Sequence, residues 1–362
     1  MDKILADYRR QVGQFEVVDI DESRVEALRA ELDVQAPVSL RWTWEYGSEV
    51  EELRALYERG KRGQWNAETD IDWSLPLGDA GEWFLPREGA LLMPSLLTLM
   101  GRDEETCLEA SKDELAYTLS QLLHGEQAAL QICGQLTNAC GTMDAKFYAA
   151  SQVADEARHV EVIAKLLQRK LGTLYPISGT LKVLLDRLLT APTWKMKTLG
   201  MQCLFEGVAV GIFDDLHKKS LNPLLSDVVR RVKQDEARHA AFGILTMRRV
   251  VKESDAEEMA EMEDFAYNVL ETLNANQQLD MLRLFGPKYG IDPEMVVQMT
   301  HAMPDWSKIN SDLYMHTVVP NLCRLGLVTE RTESAYRERG MIWGDRFGSG
   351  LDADVAKSMV KN

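Results

Sequence analysis

The sequence predicts an all-α chain organised around a four-helix bundle with a crossover connection and additional N- and C-terminal helices. Three observations predict it. The pentapeptide Asp-Glu-Ala-Arg-His occurs twice, at Asp155–His159 and Asp235–His239. A lone Glu stands thirty residues before the Glu of each copy: Glu126 in LLHGEQAALQICGQL and Glu206 in MQCLFEGVAVGIF, so all these positions repeat at one offset of eighty. A turn sequence lies at each midpoint, Gly141 in CGTMD and residue 221 in SLNP. An antiparallel helix pair brings two residues level when its turn is halfway between them. Each lone Glu is therefore expected beside a Glu-x-x-His, whose Glu and His share one helix face. No alternating strand pattern of useful length appears anywhere.

Taken in order, residues 1–60 hold short helical patterns, Ser48–Arg59 among them. The stretch QWNAETDIDWSLPLGDAGEWF, with Trp65, Trp73 and Trp83, reads as an ordered aromatic loop over the outside of the bundle. Residues 87–101 read as a buried, partly helical segment interrupted at Pro94. Ser111-Lys-Asp-Glu114 is a capping box, so the first bundle helix is expected from there to about Cys140. The second runs from Thr142 or Asp144 to Leu171 and stops at Gly172. Residues 172–192 read as the crossover between hairpins, with a short helix at 180–190. Pro192 is expected to open the third helix, which ends near Lys219. Asn222-Pro223 caps and starts the fourth, ending near Lys252, and Ser254-Asp-Ala-Glu257 reads as a second capping box. Beyond it the pattern stays helical over 255–285, 293–302, 306–327 and 330–340, punctuated by Pro287, Pro293 and Pro304. The expected organisation is residues 1–111 as an N-terminal extension, 112–252 as the bundle and 253–362 as a C-terminal extension, in one compact unit.

Composition narrows the functions. The 362 residues are 45% apolar, enough for a sizeable core, and the net charge of −16 argues against nucleic acid or an anionic membrane as a main partner. No apolar run approaches a membrane span, and MDKILADYRRQVGQ lacks a signal-peptide core. Five scattered cysteines without a CxxC point to reduced thiols and the cytoplasm.

Two facing hairpins bring four carboxylates and two imidazoles to one centre, the ligand set of a two-metal bundle. Glu126, Glu156 and His159 are expected on one metal, and Glu206, Glu236 and His239 on the other, with Glu156 and Glu236 as bridges. Such ligands suit two iron ions, or manganese, or a mixed Mn/Fe pair. Asp155 and Asp235 are expected to accept from the far nitrogens of the His ligands. Arg158 and Arg238 would pair with those aspartates. Residues one or two turns from the ligands are expected to line a pocket: Leu130, Cys133, Gln152, Val210, Phe213 and Val232. His124 and His217 fall outside the ligand register.

At the doubled Asp-Glu-Ala-Arg-His the chain resembles the ferritin-like di-iron carboxylate superfamily over about residues 112–252. The motif is most similar to that of the hydroxylase subunits of bacterial multicomponent monooxygenases. The small subunit of ribonucleotide reductase and the arylamine N-oxygenases share the bundle. Three positions depart from those patterns. Val210 stands where the hydroxylases carry Thr, Ile163 where the reductase carries its radical Tyr, and Val232 where the N-oxygenases carry an extra His. The resemblance implies an O2-activating non-haem di-iron oxygenase that hydroxylates or N-oxygenates a small organic substrate. It further implies two electrons from a reductase or ferredoxin, and a homodimer. A ferroxidase or manganese-catalase role, or a radical-generating subunit, is the alternative.

Overall fold

A computed structural model describes residues 35–36, 38–77, 82–87, 89–274, 277–301 and 306–342. The short helical patterns expected before residue 35 lie outside the described residues. Those described are helical or irregular, with no strand among them. In chain order the helices are α1 (Glu51–Arg62), α2 (Leu92–Leu99), α3 (Glu104–Ala139), α4 (Met143–Lys165), α5 (Gly179–Leu189), α6 (Trp194–Lys197), α7 (Glu206–Lys219) and α8 (Pro223–Glu253). Then follow α9 (Ala256–Asn274), α10 (Gln277–Tyr289), α11 (Pro293–His301), α12 (Trp306–Thr317), α13 (Val319–Leu325) and α14 (Glu333–Glu338).

The bundle is two hairpins, α3 with α4 and α6–α7 with α8, joined by the crossover that contains α5. Local chemistry sets most boundaries. Thr142 accepts from Ala145 N at 3.3 Å and starts α4, and Asn222 accepts from Leu225 N at 3.1 Å ahead of Pro223 and starts α8. Gly172, at φ +67°, ends the second bundle helix in the left-handed region that glycine tolerates.

Three expected boundaries move, and one expected interruption is absent. The first bundle helix begins at Glu104, where Asp103 accepts from Thr106 N at 2.8 Å. Ser111 lies inside that helix, and its buried hydroxyl takes no hydrogen bond. The helix therefore runs through the junction expected at 111–112. Its 36 residues span about 54 Å at 1.5 Å per residue. Thr193 rather than Pro192 opens the third helix, accepting from Met196 N at 3.2 Å. Asp255 rather than Ser254 caps α9, accepting from Glu257 N and Glu258 N. Pro94 does not interrupt α2. It sits in the first turn, where a missing N–H costs nothing.

One feature of the third helix has no signature in the sequence. Between α6 and α7, residues Thr198–Phe205 wind as a π-helix that runs directly into Glu206. Such segments concentrate at functional sites. Gly243 on α8 makes room for it, because a Cβ there would meet the backbone of Gln202 at 2.7 Å.

Candidate metal centre

The six side chains Glu126, Glu156, His159, Glu206, Glu236 and His239 are buried together at mid-bundle, each 5% exposed or less. They form two groups whose potential ligand atoms lie within 4.8 Å of one another. One holds Glu126, Glu156, His159 and Glu236; the other holds Glu156, Glu206, Glu236 and His239. Glu156 and Glu236 belong to both.

The aspartates cross between the repeats. Asp235 Oδ2 lies 3.2 Å from Nε2 of His159, and Asp155 Oδ2 lies 3.3 Å from Nε2 of His239. Each pentapeptide's Asp thus holds the other's His. Arg158 spans both, donating to Asp155 at 2.7 Å and to Asp235 at 3.1 Å, while Arg238 donates to Asp235. Two residues of the aromatic loop complete this face. Trp65 Nε1 donates to Asp235 at 2.8 Å, and Gln64 Nε2 donates to Asp155 at 2.7 Å. The loop therefore does more than cover the bundle: it reaches the aspartates behind the imidazoles. Nothing in the sequence ties that amide and indole to partners 91 and 170 positions away.

The arrangement fits a pair of cations. With Nε2–H directed at Asp235, a neutral His159 turns its Nδ1 lone pair toward three carboxylates. Those are Glu126, Glu156 and Glu236, with oxygens at 3.3, 3.2 and 2.8 Å. One proton cannot serve three acceptors, and Glu156 Oε2 and Glu236 Oε1 take no hydrogen bond at all. His239 Nδ1 meets Glu156 and Glu236 in the same way, at 3.2 and 3.1 Å. Six buried carboxylates face two guanidinium groups and two imidazoles. If the imidazoles are neutral, four negative charges remain, which two divalent ions balance.

Without cations, protons take their place. Burial, then the charge of Glu236, pushes the Glu126 carboxyl well above its usual range, and the same causes act on Glu206. Burial opposes a charge on His239, but Glu156 and Glu236 outweigh it and push the imidazole up to about 10. Burial opposes ionisation of Asp155 as well, yet its hydrogen bond from His239 and the charges around it hold it well below the carboxylate range.

Gln152, one turn before Glu156, donates to Glu156 at 2.8 Å and to Glu206 at 3.0 Å, joining the two hairpins. Its counterpart at the repeat offset, Val232, is fully buried in an apolar cluster.

A cavity of about 210 Å³ opens beside Glu126 and Glu206. Its walls are α3, the start of α5, the junction of the π-helix with α7, and Leu273, Gln278 and Met281; among the described residues neither Glu-x-x-His helix contributes. The residues expected to line a pocket do not line this one. Leu130, Cys133, Gln152, Val210, Phe213 and Val232 pack elsewhere, and Cys133 Sγ accepts from Gln202 at 3.4 Å. The lining that the sequence reading missed includes Glu114, Tyr117, Gln121, Phe205 and Ile212. A spacing of three and four along α3 from Glu126 back to Glu114 was the available signal.

A family model described as the p-aminobenzoate N-oxygenase AurF matches residues 48–318, three quarters of the chain. The chain belongs to the p-aminobenzoate N-oxygenase family. An N-oxygenase family member with this donor set is an oxidoreductase, a di-metal oxygenase that uses O2 on a small molecule. Among solved structures, a glycine-to-leucine variant of an R2-like ligand-binding oxidase with a Mn/Fe cofactor is 19% identical, with a TM-score of 0.46. The match covers 70% of this chain and 90% of that one. The R2-like ligand-binding oxidase with aerobically reconstituted Mn/Fe cofactor is 15% identical with a TM-score of 0.47, covering 86% of this chain and all of that one. No curated protein matches the chain. No helix among the described residues is long and apolar enough to cross a membrane.

Proposed function

We propose that the chain N-oxygenates a small amine at a di-iron centre held by Glu126, Glu156 and His159 on one side and Glu206, Glu236 and His239 on the other. Glu156 and Glu236, which belong to both ligand groups, would be shared between the two ions. The observation that carries this reading is the sharing of those two carboxylates between two ligand groups that open into one cavity. Two iron ions held by these residues would supply the redox chemistry that reduces O2.

The chain's own residues do the rest. Asp155 and Asp235 orient the imidazoles from behind and fix the tautomer whose Nδ1 would be free to hold a metal. Arg158 and Arg238 offset the negative charge of the two aspartates. Gln152 holds Glu156 and Glu206 in a fixed relation. Phe205, Leu181 and Ile212 give the cavity apolar walls that exclude water from the reacting atoms. The reaction balances as one amine, one O2, two electrons and two protons giving a hydroxylamine and water. The electrons come from an external reductase or ferredoxin. The five buried, unbridged cysteines support a cytoplasmic setting, and a homodimer is the assembly we expect, to be read from mass in solution.

The test is anaerobic loading with ferrous iron, followed by O2 and a reductant with an arylamine present. Close to two irons per chain, O2 uptake and hydroxylamine formation are expected. Iron-loaded, reduced protein that consumes no O2 would overturn the reading.

A further inference from the structure

The cavity's charge pattern bears on what the enzyme accepts. Along α3, Glu114, Thr118, Leu122 and Glu126 recur at four-residue intervals, with Tyr117 and Gln121 beside them in the cavity lining. Glu114 and Glu126 are twelve positions apart, about 18 Å along the helix. Glu126 and Glu206 mark the metal end, and Glu114 marks the far end. Three carboxylates thus line the cavity, and no Lys or Arg does among the described residues.

The far end is built in detail. Glu114 is 6% exposed, and its two oxygens accept from Leu92 N at 2.9 Å and Met93 N at 2.7 Å. Each oxygen accepts more than one bond, so the carboxyl retains capacity for a ligand donor. Burial pushes it up to about 7. Burial and the neighbouring charge of Asp280 push the Tyr117 phenol up to about 12, so it stays a donor. Both ends of the Gln121 amide are already engaged, with Pro176 O and Ser178 N. A ligand's far end would therefore meet an acidic group and a phenol, and no positive charge. A carboxylate desolvated there would be unpaired and would face Glu114, both of which disfavour its binding. An uncharged group can hydrogen-bond, and an ammonium can pair with ionised Glu114. The volume suits one ring with a short substituent, since an apolar cavity of about 150 Å³ holds benzene.

Building on the amine-oxidation reading above, we propose that the substrate is an amine whose far end is uncharged or cationic, recognised by Glu114 and Tyr117, and that aminobenzoates are excluded. In this the chain departs from the substrate in its family's name.

The experiment is anaerobic calorimetry on the full iron-loaded chain with p-aminobenzoate, p-aminobenzamide and p-aminobenzylamine, followed by O2, reductant and product analysis. The amide and the benzylamine should bind at least about tenfold tighter than the benzoate. Thr118→Arg, which adds a cation to the cavity wall, should reverse that order; Glu114→Gln should lower the affinity for the benzylamine most. Thr118→Arg keeps the test standing if loss of the Glu114 cap unfolds the second variant. Benzoate binding as tight as the amide, or no binding by any of the three, overturns the proposal. So does an order unmoved in a folded Thr118→Arg protein. Binding in the expected order without N-oxidation supports this recognition while removing the amine-oxidation reading. Preferred oxidation of the benzoate does the reverse.

Discussion

The two faces of the ligand cluster are built from the same repeat and do opposite things. On one face the Glu-x-x-His helices α4 and α8 meet through a crossed network of aspartates, imidazoles and guanidinium groups, closed over by Trp65 and Gln64. On the other, α3 and α7, which carry the lone glutamates, meet across a cavity with apolar walls. On the closed face Asp155 and Asp235 hold the imidazoles and are themselves held by Gln64, Trp65, Arg158 and Arg238. The open face leaves Glu126 and Glu206 bordering space. A doubled motif therefore yields a centre whose two faces differ, with the cavity on the side of α3 and α7.

That contrast is sharpest at the shared carboxylates. Glu236 belongs to both ligand groups, whereas Glu126 belongs to one. Glu236→Ala should take iron from about two per chain to well below one and abolish O2 consumption. Glu126→Ala should leave about one iron. Metal analysis of the two purified variants reads the difference directly, and equal losses would show that the bridging assignment is mistaken.

Much of this was legible beforehand, and what was not has physical reasons. The two hairpins followed from turn midpoints, because antiparallel geometry ties sequence distance to spatial level. The crossing of Asp155 to His239 did not follow, since an Asp four positions before a His on one helix can equally serve that helix's own His. The start of α3 lies earlier than Ser111 and Glu114 suggest, because Asp103, two turns before that capping-box match, is the residue that caps the helix. Glu114 instead caps α2, a tertiary contact. The π-helix has no periodicity of its own and depends on Gly243 across the bundle. The expected pocket positions assumed a cavity surrounding the centre on all four helices. Phe213 and Val232 instead fill an apolar cluster, and the cavity draws on one pair of bundle helices.

A smaller effect is expected behind the imidazoles. Asp235→Asn keeps the shape but weakens acceptance from His159, Trp65 and Arg158 at once. Removing such a support typically costs 10–100-fold in metal affinity. A chelator competition on this variant, run beside Ile212→Ala on the open face, separates the faces. The first should lose affinity in that range, and the second should change amine binding with iron affinity intact. If the cavity variant loses iron as readily as Asp235→Asn, the two faces are not functionally distinct.

The smallest effect concerns protons, and it again divides the faces. Partners hold Asp155 and Asp235 below the usual carboxylate range, so both stay ionised across ordinary pH. Glu114 has no cationic partner, and burial lifts it from 4.5 to about 7. Between those values the folded chain keeps a proton that the unfolded chain releases. Stability should therefore fall as pH rises through that window, by at most about 3 kcal/mol, and level off above it. Glu114→Gln cannot titrate, and it loses one of two backbone hydrogen bonds, about 1 kcal/mol. The variant should thus be the less stable protein at pH near 4.5 and should close or reverse the gap at pH near 8. Denaturant unfolding of both proteins at the two pH values measures this, and a gap of constant size would mean that Glu114 is already ionised when folded.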